Sequence, residues 1–383
     1  MAAIYLDHNA TTPIAPEVRD AMRPYLEDCF GNPSSAHEYG MLARQAVDRA
    51  RGQVAALLGC EPDSVVFTAS GSEADNLAIK GVAMARLRER DHLITSAVEH
   101  PAVLSACRYL ERRLGYRLTI LPVDGFGAVD PEHVRRAIEP RTALISVMHA
   151  NNEVGTLQPV AEIARIAGER DIAFHTDAAQ SVGKVPIDVD ELGVDLLTVT
   201  GHKFYAPKGI GALYVRPGTA LDSLIHGAGH EHGLRAGTEN VPYIVALGAA
   251  CALAGRRLRA GAPHDLRRMR DRLHANLRSA VPGVVLNGHP EDRLPNTLNV
   301  SFPGCDGETL LAGAPSVAAA TGSACHSGRT EPSQVLTAMG LDAQRALAAV
   351  RLSLGHDTTT ADVGAAATAL AASSRTVALT TAR

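Results

Sequence analysis

From Ser64 to Val215 the chain alternates between short apolar, β-branched runs and longer stretches with helical spacing. The strand-like runs are Ser64–Thr68, His92–Ser96, Arg117–Pro122, Thr142–Met148, Ile172–His175, Asp195–Val199 and Ala212–Val215. Between them, Glu73–Arg90, Ala102–Gly115, Pro131–Ile138 and Val160–Arg170 repeat apolar residues at the helical period. Few folds accept this alternation. Parallel neighbours need a crossover, and a helix supplies it. The chain reads as α/β with a mainly parallel sheet, whose ligands gather at the carboxyl ends of the strands.

The flanks are less regular. Val18–Leu26 and Tyr39–Leu58 read as helices upstream. Downstream, Pro242–Leu258 and Asp265–Val281 read as helices, Thr297–Phe302 as a strand, and Gln344–Leu354 as a helix leading into a strand. Thr360–Ala372 reads as a final helix with a frayed tail, and Ala314–Ala320 is poorly patterned. At 383 residues the chain exceeds what one core usually serves. The expected division is a large domain at 15–260 and a smaller α+β domain made of 1–14 with 261–383.

A net charge of −4 with no Lys/Arg block argues against a nucleic-acid partner. The N-terminus has no basic run leading into a long apolar one, and no apolar stretch reaches membrane-spanning length, so neither a secretory signal nor a membrane span is expected. The cysteines at 29, 60, 107, 251, 305 and 325 are scattered without a C-x-x-C pair, as in a reduced cytoplasmic protein.

The residues able to do chemistry fall after strand ends. Lys203 follows an apolar run and precedes Pro207-Lys-Gly-Ile-Gly211. A lysine buried there is driven toward the free amine and becomes a Schiff-base nucleophile; a solvated strand-end lysine is the ordinary alternative. In Phe67-Thr-Ala-Ser-Gly-Ser-Glu73, the Gly71 amide and Ser72 hydroxyl suit a phosphate, while Ser70 or Ser72 equally suits a helix cap. Asp177 closes a strand, either to pair with a pyridinium nitrogen or to cap. His100 can stack on an aromatic cofactor and move protons, or simply precede a helix-starting proline. Asn152 can hydrogen-bond a ligand or serve a turn. His226, His230 and His232 sit close together, but no metal signature fits their spacing, so a loop without metal is expected. Thr238, just beyond, can reach a phosphate. Cys325 lies among small residues beside His326, on a loop expected to be mobile, and is better placed to react than a helical cysteine such as Cys251. Arg351 can clamp a carboxylate, or form a surface ion pair.

Together these make a pyridoxal phosphate site, and over residues 4–356 the chain resembles cysteine desulfurases of the class V aminotransferase group. The matching stretches are Tyr5-Leu-Asp-His-Asn-Ala-Thr-Thr-Pro13, Gly31-Asn-Pro-Ser-Ser35, Asn151-Asn-Glu-Val-Gly155, His175-Thr-Asp-Ala-Ala-Gln-Ser-Val-Gly183, Gly201-His-Lys-Phe-Tyr205, Pro207-Lys-Gly-Ile-Gly-Ala-Leu-Tyr214 and Gly322-Ser-Ala-Cys325. The resemblance implies pyridoxal phosphate fold type I and conversion of L-cysteine to L-alanine. It implies that Lys203 carries the cofactor, Asp177 faces the ring nitrogen, Gln180 the ring hydroxyl oxygen, and His100 the ring face. Gly71, Ser72, Thr200 and His202 then hold the phosphate, with Thr238 reaching that of a neighbouring subunit in a homodimer. Asn152 and Arg351 bind the substrate carboxylate, and Cys325 takes the sulfur as a persulfide for an acceptor protein.

Some positions depart from the pattern. Ser72 stands where threonine is common, and His232 and His356 stand where arginine is frequent. The short Ala/Thr-rich tail lies where iron–sulfur scaffolds dock in the family. His326 and Gly237-Thr-Glu-Asn240 also resemble selenocysteine lyases, which makes that activity the alternative. A catalytically silent scaffold of the same fold is a further one.

Overall fold

Seven strands form one central sheet because its inner strands are buried on both faces under helices, with the strand Arg117–Leu121 a partly exposed edge. In this computed structural model, residues 3–87, 89–322, 325, 326 and 329–381 are described, with backbone alone at 325, 326, 329, 330 and 379–381. The strands in chain order are β1 (Ile4–Tyr5), β2 (Val65–Thr68), β3 (His92–Ser96), β4 (Arg117–Leu121), β5 (Thr142–Ser146), β6 (Ala173–Asp177), β7 (Leu196–Thr200), β8 (Gly211–Val215), β9 (Val285–Asn287), β10 (Thr297–Ser301), β11 (Val317–Ala318), β12 (Cys325–His326), β13 (Arg329–Thr330) and β14 (Ala349–Ser353). The large sheet runs β2-β8-β7-β6-β5-β3-β4. All its pairings are parallel except those of β8, which runs antiparallel to both neighbours. β3, β5 and β7 are buried at every position, the mark of a sheet covered on both faces. The carboxyl ends of β2, β6 and β7 therefore open on one side of the sheet.

The helix Val241–Arg259 is long and apolar enough to cross a membrane by length and composition, which corrects the sequence expectation. Here it packs on the helix Glu38–Leu58 and contributes Ile244, Leu247 and Cys251 to the largest apolar core. Their closeness depends on Gly248, where a Cβ would lie 2.6 Å from the Ala50 Cα.

A second sheet, β14-β10-β9, is antiparallel. The helices Ala262–Ala280 and Thr360–Thr381 bury Leu273, Leu277, Val363 and Leu370 with its Val300 and Leu352. The N-terminus joins this core: β1 pairs with β11, Leu6 is fully buried there, and Asp7 bridges to Ser353. The chain then crosses to the large sheet, where the Thr12 amide donates to the His202 carbonyl at 2.9 Å.

Several elements differ from expectation. The final helix continues to Thr381 instead of fraying. Its small residues let it lie close: the Ser373 hydroxyl donates to the Leu310 carbonyl at 2.7 Å, and Cys305 Sγ meets the Ser374 carbonyl. The helix expected to reach Arg90 ends at Ala85. Arg90 leaves it to donate to the carbonyls of Thr142 and Asp171. The unpatterned stretch 314–320 contains β11, and the short elements β9, Gly307–Ala312 and Gln334–Ala338 carried too little periodicity to be read.

Candidate active site

A cavity of about 310 Å³ opens at the carboxyl ends of β2, β6 and β7. Lys203, Asp177, His100, Gly71, Ser72, Thr200, His202, Gln180, Asn152 and Arg351 all line it, so ten of the residues singled out from sequence meet in one place.

Lys203 sits in a single turn of 3-10 helix, Gly201–Lys203, directly after β7. Its Nζ donates to the main-chain carbonyls of Asn9 at 2.8 Å and Ala10 at 2.9 Å. Burial brings its pKa down to about 8, helped by the Arg351 charge and opposed by Asp177 and Asp7. A strand-end lysine in solvent would not be lowered in this way. Tyr205, two residues on, holds a left-handed backbone with φ 77°, and its amide donates to the Thr12 hydroxyl at 2.7 Å.

After β2, Ser70 caps the helix Gly71–Ala85 by accepting from the Glu73 amide at 3.1 Å. Glu73 reaches back to accept from the Ala69 amide at 2.9 Å. The cap and the anion site therefore coexist: Ser70 does the capping, which leaves the helix-start amide of Gly71 and the Ser72 hydroxyl at the cavity wall. Arg235 pairs with Glu73 at 2.8 Å and offsets its charge near that anion position. Gly71 is sterically required, since a Cβ there would overlap Thr200 Oγ1. His202 Nδ1 lies 3.1 Å from the Thr11 hydroxyl, and burial, with Lys203 and Lys208 nearby, lowers its pKa to about 4.

Asp177 ends β6 almost fully buried, and its Oδ1 accepts from the Ala179 amide at 2.9 Å. Burial raises its pKa, while Ala179, His100 and Lys203 pull it down. His100 is likewise both cap and site residue. Its Nδ1 accepts from the Ala102 amide at 3.2 Å at the start of the helix Pro101–Leu114, and the ring lines the cavity. With Nδ1 accepting, the neutral ring carries its proton on Nε2. Desolvation lowers its pKa, Asp177 opposes this and Lys203 adds to it.

Arg351 lies at the middle of β14, nearly buried. Nη2 pairs with Asp7 at 2.8 Å, Nη1 donates to the Asn152 carbonyl at 3.2 Å, and Nε has no partner among the described residues. It is an ion pair, but at the cavity wall and not at the surface. A guanidinium with a spare buried N–H can receive a carboxylate.

Of the remaining candidates, Thr238 and the histidine loop fall elsewhere. Thr238 is exposed, away from the cavity, on the loop before Val241–Arg259. The Cys325 backbone pairs with Thr330 in the β12–β13 ladder, and its side chain lies outside the described residues. Among the described residues no group of three or more His, Cys, Asp or Glu is arranged to hold a metal. His226 Nδ1 meets the Ser223 hydroxyl, and His230 Nδ1 accepts from the Gly237 amide.

Sequence reasoning missed four residues here. Asn9 joins the site through its main-chain carbonyl, which no side-chain pattern announces. Asp75 lines the cavity, buried, with Oδ1 unpartnered and 3.7 Å from His175 Nε2. Glu153 accepts from the Ser333 hydroxyl at 2.5 Å. Lys184 contacts Gln180. The only advance signal for the last was a lysine in the otherwise uncharged run Ala178–Val185.

The aminotransferase class-V family matches residues 4–365. The cysteine desulfurase IscS of Dictyoglomus turgidum is 47% identical over 362 residues, covering 94% of this chain and 91% of that protein. Among solved structures, a NifS-like protein superposes with a TM-score of 0.90 at 36% identity, covering 97% of this chain and 98% of its own. SspA in complex with cysteine superposes at 0.82 with 41% identity, covering 91% of this chain and 98% of its own.

Proposed function

This chain belongs to the class-V aminotransferase family and is a pyridoxal phosphate-dependent cysteine desulfurase, and from that premise we propose what each residue around the cavity does and where the sulfur goes. The observation that carries the proposal is the convergence of Lys203, Asp177, His100, the Gly71 helix start and Arg351 on one cavity.

The cavity residues suit the cofactor. The helix start at Gly71 is a cradle that a Cβ would fill, with amide and hydroxyl donors for a phosphate. Asp177 supplies a buried carboxylate for a cationic ring nitrogen, and Lys203 an amine already lowered toward its free base. Gly71, Ser72, Thr200 and His202 would hold the phosphate, Gln180 the ring oxygen, and His100 the ring face. When bound, pyridoxal phosphate supplies an electron sink for the pair released at the substrate α-carbon.

The other roles belong to the protein. Arg351 and Asn152, both at the cavity wall, orient the L-cysteine carboxylate. Lys203 Nζ would take the α-proton as a free amine, the form that burial favours by bringing its pKa down to about 8. The Nε2 proton of His100 is available for transfer. The Cys325 thiolate takes the substrate sulfur as its Cβ–S bond breaks, alanine leaves, and the resulting persulfide passes to an acceptor protein, for which an iron–sulfur assembly scaffold, a tRNA-thiolation protein and an enzyme of sulfur-metabolite synthesis are all open. Thr238, exposed and clear of its own cavity, reaches the phosphate bound by a second subunit of a homodimer. A cytoplasmic location suits the free thiols of Cys29, Cys60, Cys107, Cys251 and Cys305.

The test is direct. Purified protein loaded with pyridoxal phosphate should be yellow and release alanine and sulfide from L-cysteine with a reductant. Lys203→Ala should lose the bound colour and the activity, and Cys325→Ala the activity alone. Full turnover by Cys325→Ala would remove the persulfide role. Faster turnover of selenocysteine than of cysteine would move the specificity to the alternative substrate.

A further inference from the structure

A second lysine is buried beside the reacting one, and nothing in the roles above uses it. Lys184 is 7% exposed. Its Nζ donates to Gln180 Oε1 at 2.7 Å and to Asn9 Oδ1 at 3.0 Å. Both partners are amide oxygens, so no opposite charge compensates an ammonium there. Burial holds the Lys184 pKa well below its usual value, and the charges of Lys203 and Arg351 push the same way. A neutral amine has two N–H groups, and both are placed on oxygen.

The partner on the other side is Gln180. Its Oε1 is occupied by Lys184, and its Nε2 donates to the Asn9 carbonyl at 2.9 Å. That carbonyl also accepts from Lys203 at 2.8 Å. An amide nitrogen has two hydrogens, so one N–H of Gln180 is left over, and Gln180 lines the cavity. The two ends of a glutamine amide have nearly the same shape, so partners decide its orientation. Turned over, Gln180 would set its oxygen against the Asn9 carbonyl and take from Lys184 one of the two oxygens its N–H groups now reach.

We infer that Lys184 is a positioning residue that holds the Gln180 amide so that it presents an N–H, not a carbonyl oxygen, to the ring oxygen of pyridoxal phosphate. This rests on the cofactor reading above. It gives the Lys184 amine work as a donor, not as a charge.

The experiment uses the holoenzyme and reads the visible absorbance of bound pyridoxal phosphate across pH. A hydrogen bond to the ring oxygen favours its ionised form, so losing it raises the midpoint of the colour change. For a bond to a charged group the shift is about one to two pH units. Lys184→Met, which matches the chain length without a donor, should raise the midpoint by this amount, as should Gln180→Leu. The double variant should shift no further than either alone. Lys184→Gln, which keeps an N–H donor, should retain the wild-type midpoint, and Lys184→Leu, which also lacks a donor, replaces Lys184→Met if circular dichroism finds that variant unfolded. An unchanged midpoint in Lys184→Met, a double variant shifted by the sum of the two, or a Lys184→Gln midpoint raised like that of Lys184→Met overturns the inference. A wild-type protein that takes up no pyridoxal phosphate fails the cofactor reading instead, whereas a coloured wild type with additive shifts fails this inference alone.

Discussion

Adding one methyl group at Gly71 separates the two jobs of the turn after β2. Gly71 is the first residue of the helix Gly71–Ala85 and has ordinary negative φ, so alanine suits its backbone. On helix propensity alone Gly71→Ala stabilises, by up to about 1 kcal/mol. The cavity side reverses the sign. The new Cβ would overlap Thr200 Oγ1 and lie 3.2 Å from the Thr200 Cβ. Overpacking of this kind costs about 1–3 kcal/mol, relieved by turning Thr200 or shifting the helix start. Either movement misplaces a phosphate donor. One charge-assisted hydrogen bond is worth about 1.5–3 kcal/mol, which corresponds to roughly a 10- to 150-fold loss of affinity.

The assay is equilibrium titration of apoprotein with pyridoxal phosphate, with the thermal midpoint of the apoprotein measured alongside. Gly71→Ala should bind at least about tenfold more weakly. The decisive comparison is with Thr200→Ala, which removes the offending oxygen. Gly71→Ala/Thr200→Ala should bind no more weakly than Thr200→Ala alone. Wild-type affinity in Gly71→Ala, or additive losses in the double variant, would refute the steric and donor reasoning together.

Two further outcomes follow from buried titrating groups. The rate of pyridoxal phosphate uptake by apoprotein requires the free Lys203 amine, so it should climb with pH, reach half its limit near 8, the value to which burial and Arg351 bring that amine, and level off above it; a half-limit reached only near the usual lysine value of 10.5 refutes the depression. Burial raises Glu153 to about 7 from 4.5, against the pull of Ser333 and Arg351. The folded state then holds a proton that the unfolded chain releases, so this group's contribution to stability is lost as pH rises from 4.5 to 7. Thermal midpoints of wild type and Glu153→Gln should therefore diverge in favour of the variant across that window, and parallel curves would show that Glu153 titrates normally.

Much of the fold was legible because a sheet covered on both faces writes itself as apolar runs, and β2 to β8 each overlap such a run, with β6, β7 and β8 reaching one or two residues beyond it. The C-terminal part was harder. Its strands are short, and β11 is two residues held by pairing with β1 from the far end of the sequence. The last helix was cut short because alanine, serine and threonine signal no apolar face, yet Ser373 and Ser374 are buried by the close approach that small side chains allow. The site residues were legible where a side chain does the work after a strand end. Where the alternative was a helix cap, the structure joins the two roles: His100 caps a helix and lines the cavity, and Ser70 caps another so that its neighbours need not.

What the sequence could not settle is which acid in the cavity is charged. Asp75 and Asp177 both line it, and each burial raises the pKa of a carboxyl already beside another one. Two carboxylates so placed do not both ionise. Asp177 has the stronger claim to the charge, because the Ala179 amide, His100 and Lys203 all favour its ionised form. Asp75 has only the Thr198 hydroxyl in its favour, with Oδ1 unpartnered and with Asp177 and Glu99 against it. His175, 3.7 Å away, gives it no cation, since burial lowers that ring's pKa to about 3. Asp75 therefore keeps its proton, and the negative charge collects on Asp177. The acid that ends β6 is suited to a cationic ring nitrogen because the acid one turn into the neighbouring helix stays neutral, an asymmetry that depends on their neighbours in space and that the two letters in the sequence do not carry.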